Sequence, residues 1–320
     1  MAPGSPTPVA GRRPSVDALL LLMAVIWGTN YSIVKNAFEE IDPQAFNALR
    51  MLIASTVFLV VIVVMNRAVR RDGDAGVDSI FHTSAALTRR DWLVLAALGA
   101  VGHAIYQYLF VGGLALTSVA NSSLTLAATP VVVGIISAVL GYERLGPLHW
   151  VGAALSLTGI YIVVGQGGGQ EQTSLRGDLM MVGAVCCWAV YTLGAGPLMT
   201  RHSPVGVTGL SMAIGTVLYV PVMLPKLRAT PWLSLSAGTW MAILYSALFA
   251  LCVAYTIWYM AVREIGSART ALYSNVIPIV AMLTAVVFLG ERLTPGRLLG
   301  ALAVLIGVAL TRVRPRTVGT

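Results

Sequence analysis

Charge is what this 320-residue sequence has least of. Charged residues make up 11% of it, against roughly a quarter in an ordinary soluble domain. So thin a supply cannot coat a soluble surface of this size, which excludes a soluble globular protein. Lysine occurs only at Lys35 and Lys226, and the glycine-rich run Gly165–Gly169 carries no cation. No G-x-x-x-x-G-K-[ST] phosphate loop is present, which excludes ATP hydrolysis by this chain. No H-E-x-x-H pattern occurs and polar catalytic groups are not clustered, so an enzyme is not expected. The three cysteines, Cys186, Cys187 and Cys252, all sit in apolar runs. Their spacing suits no metal site and their odd number no disulfide framework. They read as small buried side chains, and neither a metal nor another cofactor is expected. No Asp or Glu falls near the middle of a long apolar run, where proton-coupled carriers usually hold a carboxylate.

What is abundant is apolar sequence, at 57% of positions. A helix needs about 20 apolar residues to cross a bilayer. Lipid-exposed backbone must satisfy its own hydrogen bonds, so only helices and closed barrels span. The runs here are too long and too continuous for barrel strands. Ten of them are expected to span as helices: 17–35, 44–65, 91–114, 118–141, 147–165, 177–199, 204–224, 240–262, 267–290 and 296–311. The tenth is short between Arg297 and Arg312, so both side chains are expected to snorkel to the interfaces. Trp92, Trp150, Trp232 and Trp240 lie at run ends, where amphipathic rings prefer the headgroup layer. Residues 1–15 and 313–320 read as disordered or basic tails. The Arg12-Arg13 pair resembles a signal-peptide start, but no small-x-small cleavage site follows, so the first run reads as a retained span.

The chain repeats itself. Ala120–Gly152 echoes Ala268–Gly300 without a gap. Pro130 falls on Pro278, Glu143-Arg144-Leu145 on Glu291-Arg292-Leu293, and Pro147 on Pro295, each 148 positions apart. Earlier, Asp17 matches Asp178, Trp27 matches Trp188 and Pro43 matches Pro204 at a spacing of 161. The difference is extra length in the polar loop around Asn66–Arg90, where insertion costs little. Residues 16–166 and 167–312 thus form two five-helix repeats. Five is odd, so tandem copies must enter the membrane from opposite sides. That is an inverted-topology repeat, as in many alternating-access transporters. Sorted by loop, fourteen of the 21 basic residues fall on the side of the termini and seven on the other. The richer side should be cytoplasmic, which puts both termini there. The net charge of +8 is then a matter of topology, and nucleic-acid binding drops out.

Several residues carry a resemblance. WGTNYSIVKN in the first run, ALR around Arg50, and two copies of E-R-L-x-P after a proline-containing run resemble the drug/metabolite transporter superfamily, specifically its ten-helix EamA-type members. The similarity extends from about Asp17 to Thr311. It implies an all-α membrane protein of the bacterial inner membrane: a basket of ten transmembrane helices around a central cavity, with the fifth and tenth peripheral. It also implies a carrier, often an exporter of amino acids or related metabolites. It does not name the substrate.

Polar and aromatic side chains that share helical faces at mid-span are expected to point inward, since lipid penalises them. Trp27, Asn30 and Tyr31 share a face, echoed by Trp188, Tyr191 and Thr192. His103 and Gln107 share one with Tyr106; Tyr255 and Trp258 share one with Tyr259; Tyr273 and Asn275 precede Pro278. With Thr125, these make up the expected substrate wall: Trp27, Asn30, Tyr31, His103, Gln107, Thr125, Trp188, Tyr191, Tyr255, Trp258, Tyr273 and Asn275. The serine and threonine stripe Ser118, Ser122, Thr129 reads first as a packing surface. The tryptophans could equally pack as core. Pro130 and Pro278 are hinge candidates, each freeing the carbonyl four residues back, at Leu126 and Ser274; a packed kink is the even alternative. His103 is expected to be the one ionisable group near mid-bilayer, as substrate or proton contact or as a neutral, hydrogen-bonded helix tie. Lys35 and Arg50 lack basic echoes, the matches being Gly196 and Ser211. They are expected near the outer side, joining the first two helices or offering a positive rim.

The expected function is a secondary carrier of small organic metabolites of amino-acid type, working in membrane lipid on a small-molecule substrate. The alternatives are efflux of lipophilic drugs or cations, and a membrane scaffold or enzyme.

Overall fold

The structure, a computed structural model, describes residues 14–72, 79–139, 146–165, 174–265, 270 and 273–311. The two tails up to residue 13 and from residue 312, the Glu143-Arg144-Leu145 motif, and the start of the ninth run at Ser267–Arg269 lie outside them. Among the described residues every regular element is helical. They are α1 (Pro14–Ala37), α2 (Pro43–Asp72), α3 (Arg89–Leu98), a π segment (Gly99–Ile105), α4 (Tyr106–Leu116), α5 (Val119–Ala127), α6 (Thr129–Val139), α7 (Pro147–Gly165), α8 (Leu175–Met199), α9 (Pro204–Ala229), α10 (Ala237–Tyr245), a second π segment (Ser246–Val253), α11 (Ala254–Ile265), α12 (Val276–Leu289) and α13 (Pro295–Thr311). Among the described residues, seven helical runs are long and apolar enough to cross a membrane, and three apolar helices, α7, α12 and α13, are shorter.

Local chemistry sets the boundaries. α2, α7, α9 and α13 each begin on proline, whose missing N–H costs nothing in a first turn. Serine caps open α5, α8, α9 and α10: Ser118, Ser174, Ser203 and Ser236 accept from the backbone N–H three residues on, at 3.0–3.2 Å. Thr88 and Asp91 form a reciprocal capping box before α3. α12 ends on Gly290 at φ +64°, a left-handed conformation that glycine adopts without a Cβ penalty.

The next residue, Glu291, reaches across the bundle. It is 8% exposed. Its carboxylate accepts from Val119 N–H at 2.7 Å and Ala120 N–H at 3.2 Å, capping α5 where the helix dipole favours an anion. The second E-R-L tripeptide is thus more than an interfacial turn. Glu291→Ala is expected to cost about 1–2 kcal/mol of stability, the usual loss for a helix cap, read as a lowered melting temperature in detergent. An unchanged melt would show that water replaces the cap.

The α1–α2 turn is tied to α10 in a similar way. Glu40 accepts from Ser236 N–H at 2.9 Å and from the Thr239 hydroxyl at 2.8 Å. The Ser236 backbone bond, with help from the Ser236 and Thr239 side chains, holds its carboxyl below the ordinary glutamate value of 4.5. A depressed carboxyl stabilises the fold above its unfolded value and loses that contribution as pH falls through the folded one. Melting temperature should therefore drop as pH falls below 4.5, and Glu40→Gln should flatten that acid limb. A variant with the same acid limb as the parent would assign the loss to other groups.

Equivalent helices of the two halves pack on each other in antiparallel fashion. On α2 and α9, Gln44 meets Tyr219, Ser55 meets Thr216, and Phe58 meets Gly209, so numbers rise along one helix as they fall along the other. Ser55 and Thr216 are themselves repeat equivalents, 161 apart, and their hydroxyls meet at 2.7 Å. On α7 and α13 the contacts are reciprocal. A Cβ on Gly159 would stand 2.7 Å from Gly300 O, and a Cβ on Gly307 would stand 2.6 Å from Gly152 O. Gly159 and Gly307 are equivalents, as are Gly152 and Gly300, so the same crossing is made twice about one local twofold. The two π segments also occupy equivalent places, in the middle of the third and eighth rods.

Two expectations about arginine fail here. Arg297 does not snorkel: it is 1% exposed, and its Nη1 donates to Arg292 O at 3.2 Å. Nor do Lys35 and Arg50 join the first two helices at a rim, as their partners described below show. Lys35 stays in the last turn of α1 and Arg297 in the first turn of α13, yet each donates to backbone carbonyls of the chain, which takes the place of water at the interface.

Candidate functional site

One end of the bundle is tied shut. Lys35, in the last turn of α1, donates to the carbonyls of Leu114, Ala115 and Thr117 at 2.9, 3.3 and 2.6 Å. Those carbonyls belong to the end of α4, where the helix dipole is negative. The Thr117 hydroxyl and the Asn121 amide both donate to Asp178 of α8, at 2.6 and 3.2 Å. Ser174 N–H donates to Leu116 O at 2.9 Å, and the Glu291 cap lies at the same end. α1, α4, α5 and α8 are thereby drawn together.

Behind this seal lies a cavity of about 540 Å³, within the range of small-molecule sites. Its inner end is walled by Tyr31, Arg50, Phe110 and Ser123. From there it runs past Trp27, Asn30, Gln107 and Trp188 to Gly196 and Met199 at the end of α8 and Val262 of α11. Both halves contribute. None of the Lys35 cluster lines it, so the cavity reaches towards one end of the bundle and stops short of the other.

Most of the wall is aromatic. Trp27 packs against Tyr255 and Trp258, each at 5.7 Å between ring centres. Trp188 meets Tyr255 edge-on at 5.5 Å and Tyr106 at 5.2 Å. Tyr106 stacks on Phe110 at 5.7 Å, and Phe110 meets Tyr31 at 5.5 Å. Trp27 is fixed by its Nε1, which donates to Ala250 O at 2.9 Å. Ala250 belongs to the second π segment, whose wide turn displaces backbone groups from α-helical pairing.

Of the expected wall, Trp27, Asn30, Tyr31, Gln107, Trp188, Tyr255 and Trp258 line the cavity, as do Pro130 and Pro278. Five do not. His103 is fully buried behind the wall, 5.0 Å from the Tyr191 ring, with Nε2 3.2 Å from Ser211 Oγ. Tyr191 shares that hydroxyl at 3.3 Å. Thr125 is 1% exposed inside the helix packing, and Asn275 sits at the start of α12. Tyr273 donates to the Asp17 carboxylate at 2.5 Å. The carbonyls that the prolines free are also taken up. Thr129 Oγ1 donates to Leu126 O at 2.6 Å, and Ile277 N–H donates to Ser274 O at 3.2 Å. Pro130 still breaks its rod, since α5 stops at Ala127 and α6 restarts at Thr129.

The wall also holds Tyr106 and Thr192, which share faces with the expected residues, and three residues that the face analysis passed over: Phe110, His149 and above all Arg50. Arg50 is 1% exposed. It donates through Nε to Asn47 Oδ1 at 2.7 Å, through Nη1 to Ser246 Oγ at 2.7 Å and through Nη2 to Gln107 Oε1 at 2.6 Å. It therefore joins α2 to α4 and the second π segment. The expectation that His103 alone is ionisable at this depth is corrected: the charge on the cavity wall is a guanidinium. The i+3 spacing of Asn47 and Arg50 was the available sign, since it puts a short polar side chain beside the guanidinium on one face of α2.

Comparison with known proteins bears on what such a cavity is for. Residues 14–165 and 175–313 match the EamA-like transporter family. The chain is 24% identical to the uncharacterized transporter YyaM of Bacillus subtilis, covering 92% of both chains. It is also 24% identical to a probable terminal-alkyne amino-acid exporter of Streptantibioticus cattleyicolor, over 94% of this chain and 93% of that one. A probable amino-acid metabolite efflux pump of Salmonella typhimurium is 24% identical, with 91% and 92% covered. A crystal structure 19% identical in sequence superposes with a TM-score of 0.62 over 93% of this chain and 98% of the other, so the fold is shared.

Proposed function

The chain belongs to the EamA-like transporter family, and we propose that within it this protein is a secondary carrier of small organic metabolites of amino-acid type, working by alternating access. The observation that carries the reading is the cavity itself, walled by both halves, lined with aromatic rings and a few polar groups, and shut at one end only. Ten membrane-spanning rods in two inverted repeats are supported by the antiparallel packing of α2 on α9 and of α7 on α13 through equivalent residues. Two halves related in that way can exchange roles, so that the end now open closes and the sealed end opens.

The excess of basic residues beside the termini supports a cytoplasmic-membrane protein with both termini inside. The cavity then faces the cytoplasm, as suits loading for export. The names of the two amino-acid relatives support the substrate class. Among the described residues no Asp or Glu lines the cavity, which disfavours a lipophilic cation.

Counterflow in liposomes tests the reading. Vesicles preloaded with an unlabelled amino acid should accumulate its labelled form transiently, and vesicles without protein should not. If no member of a panel of amino acids, sugars and nucleosides exchanges, the metabolite reading fails; exchange of quaternary cations alone would replace it with drug efflux.

A further inference from the structure

We infer that Arg50 is the carboxylate-recognising residue of the cavity, and that the transported molecule is an organic acid or zwitterion with its carboxylate at the inner end and its apolar body towards the mouth. The inference rests on the carrier reading and narrows its substrate.

The argument starts from charge balance. Arg50 lies on the cavity wall and is almost wholly buried. Its three hydrogen-bond partners, Asn47, Gln107 and Ser246, are all neutral, and the Phe46 ring stands 5.9 Å from its guanidinium carbon. No salt bridge among the described residues involves it, and no carboxylate lines the cavity. A buried cation without a counter-charge is costly, so the site is incomplete as it stands. A guanidinium offers five N–H groups. Three are used, one on each nitrogen, so each terminal nitrogen keeps one. Paired donors in a planar fork are what a carboxylate binds best.

The surroundings define the rest of the ligand. Tyr31 and Phe110 flank the same inner end, and Trp27, Trp188, Tyr255 and Trp258 line the way out. Such a wall accepts an apolar or aromatic body. The repeat then makes the orientation unique. The counterpart of Arg50 in the second half is Ser211, which is fully buried and held against His103 and Tyr191. The cavity therefore has one cationic pole, and one carboxylate fits it.

A matched set of probes tests this on the full-length protein in nanodiscs: 3-phenylpropionate, its neutral amide 3-phenylpropanamide, and 2-phenylethylammonium. Binding is read by calorimetry and by quenching of the cavity tryptophans. The carboxylate is expected to bind roughly tenfold or more tightly than the amide, the scale of one charge-assisted hydrogen-bonded pair, and the ammonium weakest of the three. Arg50→Gln should bring the carboxylate-to-amide ratio close to one, and Arg50→Lys should keep a preference for the carboxylate. Equal binding of acid and amide to the wild-type protein overturns the inference without any variant, so a misfolded Arg50→Gln does not rescue it. A ratio that survives in a folded Arg50→Gln also overturns it, leaving Arg50 as a tie between helices. Should the counterflow panel yield a substrate that bears no carboxylate, the carrier stands and this assignment falls; should nothing in the panel exchange, the carrier reading itself falls.

Discussion

Replacing Gly215 with valine should leave little or no folded protein. Gly215 of α9 lies where that helix crosses the first π segment. A Cβ there would stand 2.4 Å from the Cβ of His103 and 2.7 Å from the carbonyl oxygen of Gly99. The contact is made from both sides, since a Cβ on Gly99 would stand 2.7 Å from Ser211 O. Neither obstacle is the movable tip of a long side chain; both are backbone or its first carbon. One methyl can be admitted only if α9 and the third rod separate along their whole crossing. Overpacking of this kind costs about 1–3 kcal/mol for small insertions and more where backbone must move. Gly215→Ala should therefore lower the melting temperature in detergent by several degrees, and Gly215→Val should aggregate on size exclusion. Gly238→Ala is the control, because its added Cβ meets nothing nearer than Ser236 Oγ at 3.5 Å. A Gly215→Val protein that elutes and melts like the parent would show that the crossing is looser than described.

The same crossing explains what the sequence could and could not tell. The internal repeat is legible in the sequence, because Pro130 and Pro278 keep a spacing of 148 and Trp27 and Trp188 one of 161, with one insertion between them. The apolar runs foretell where the described apolar helices fall, seven of them long enough to cross a membrane, because lipid imposes one composition on them. Side-chain direction was legible only where the helix stays regular. Tyr255, Trp258 and Tyr259 follow the second π segment inside the α-helical α11, and all three reach the cavity as their i, i+3, i+4 spacing requires. His103 has the same spacing to Tyr106 and Gln107 but lies inside the first π segment. A π turn closes i→i+5 instead of i→i+4, so the face computed at 3.6 residues per turn slips by about one residue there. Tyr106 and Gln107 stay on the wall, and His103 turns behind it. Arg50 was misplaced for another reason. Its depth is set by Gln107 and Ser246, which are distant in sequence, and no periodicity within α2 signals them.

Lys35→Met should unseal the closed end and cut transport by tenfold or more. Methionine keeps most of the stem's packing volume and removes only the ammonium, so the three carbonyls of Leu114, Ala115 and Thr117 lose their shared donor together. Hydrogen bonds from a charged group contribute about 1.5–3 kcal/mol each, net. Even one such contribution lost from the closed state alone would move the balance between closed and open roughly tenfold or more. The repeat shows why nothing compensates. The equivalent of Lys35 is Gly196, where an added Cβ meets nothing within 4 Å, and the equivalent of Leu114 is Val262; both line the cavity on its open side. Among the described residues the lysine lock therefore stands at one end only, and the cavity reaches the end where the lysine is missing. A cysteine placed at Phe110, at the inner end of the cavity, reports the change: it should react with a membrane-impermeant thiol reagent from the Lys35 side in the Lys35→Met background and resist it in the parent. Lys35→Arg, which keeps the charge, should stay closer to the parent in both labelling and counterflow. Equal labelling in the two backgrounds would mean that the Asp178 and Glu291 contacts hold this end shut without the lysine, and that the asymmetry of the two ends has another origin.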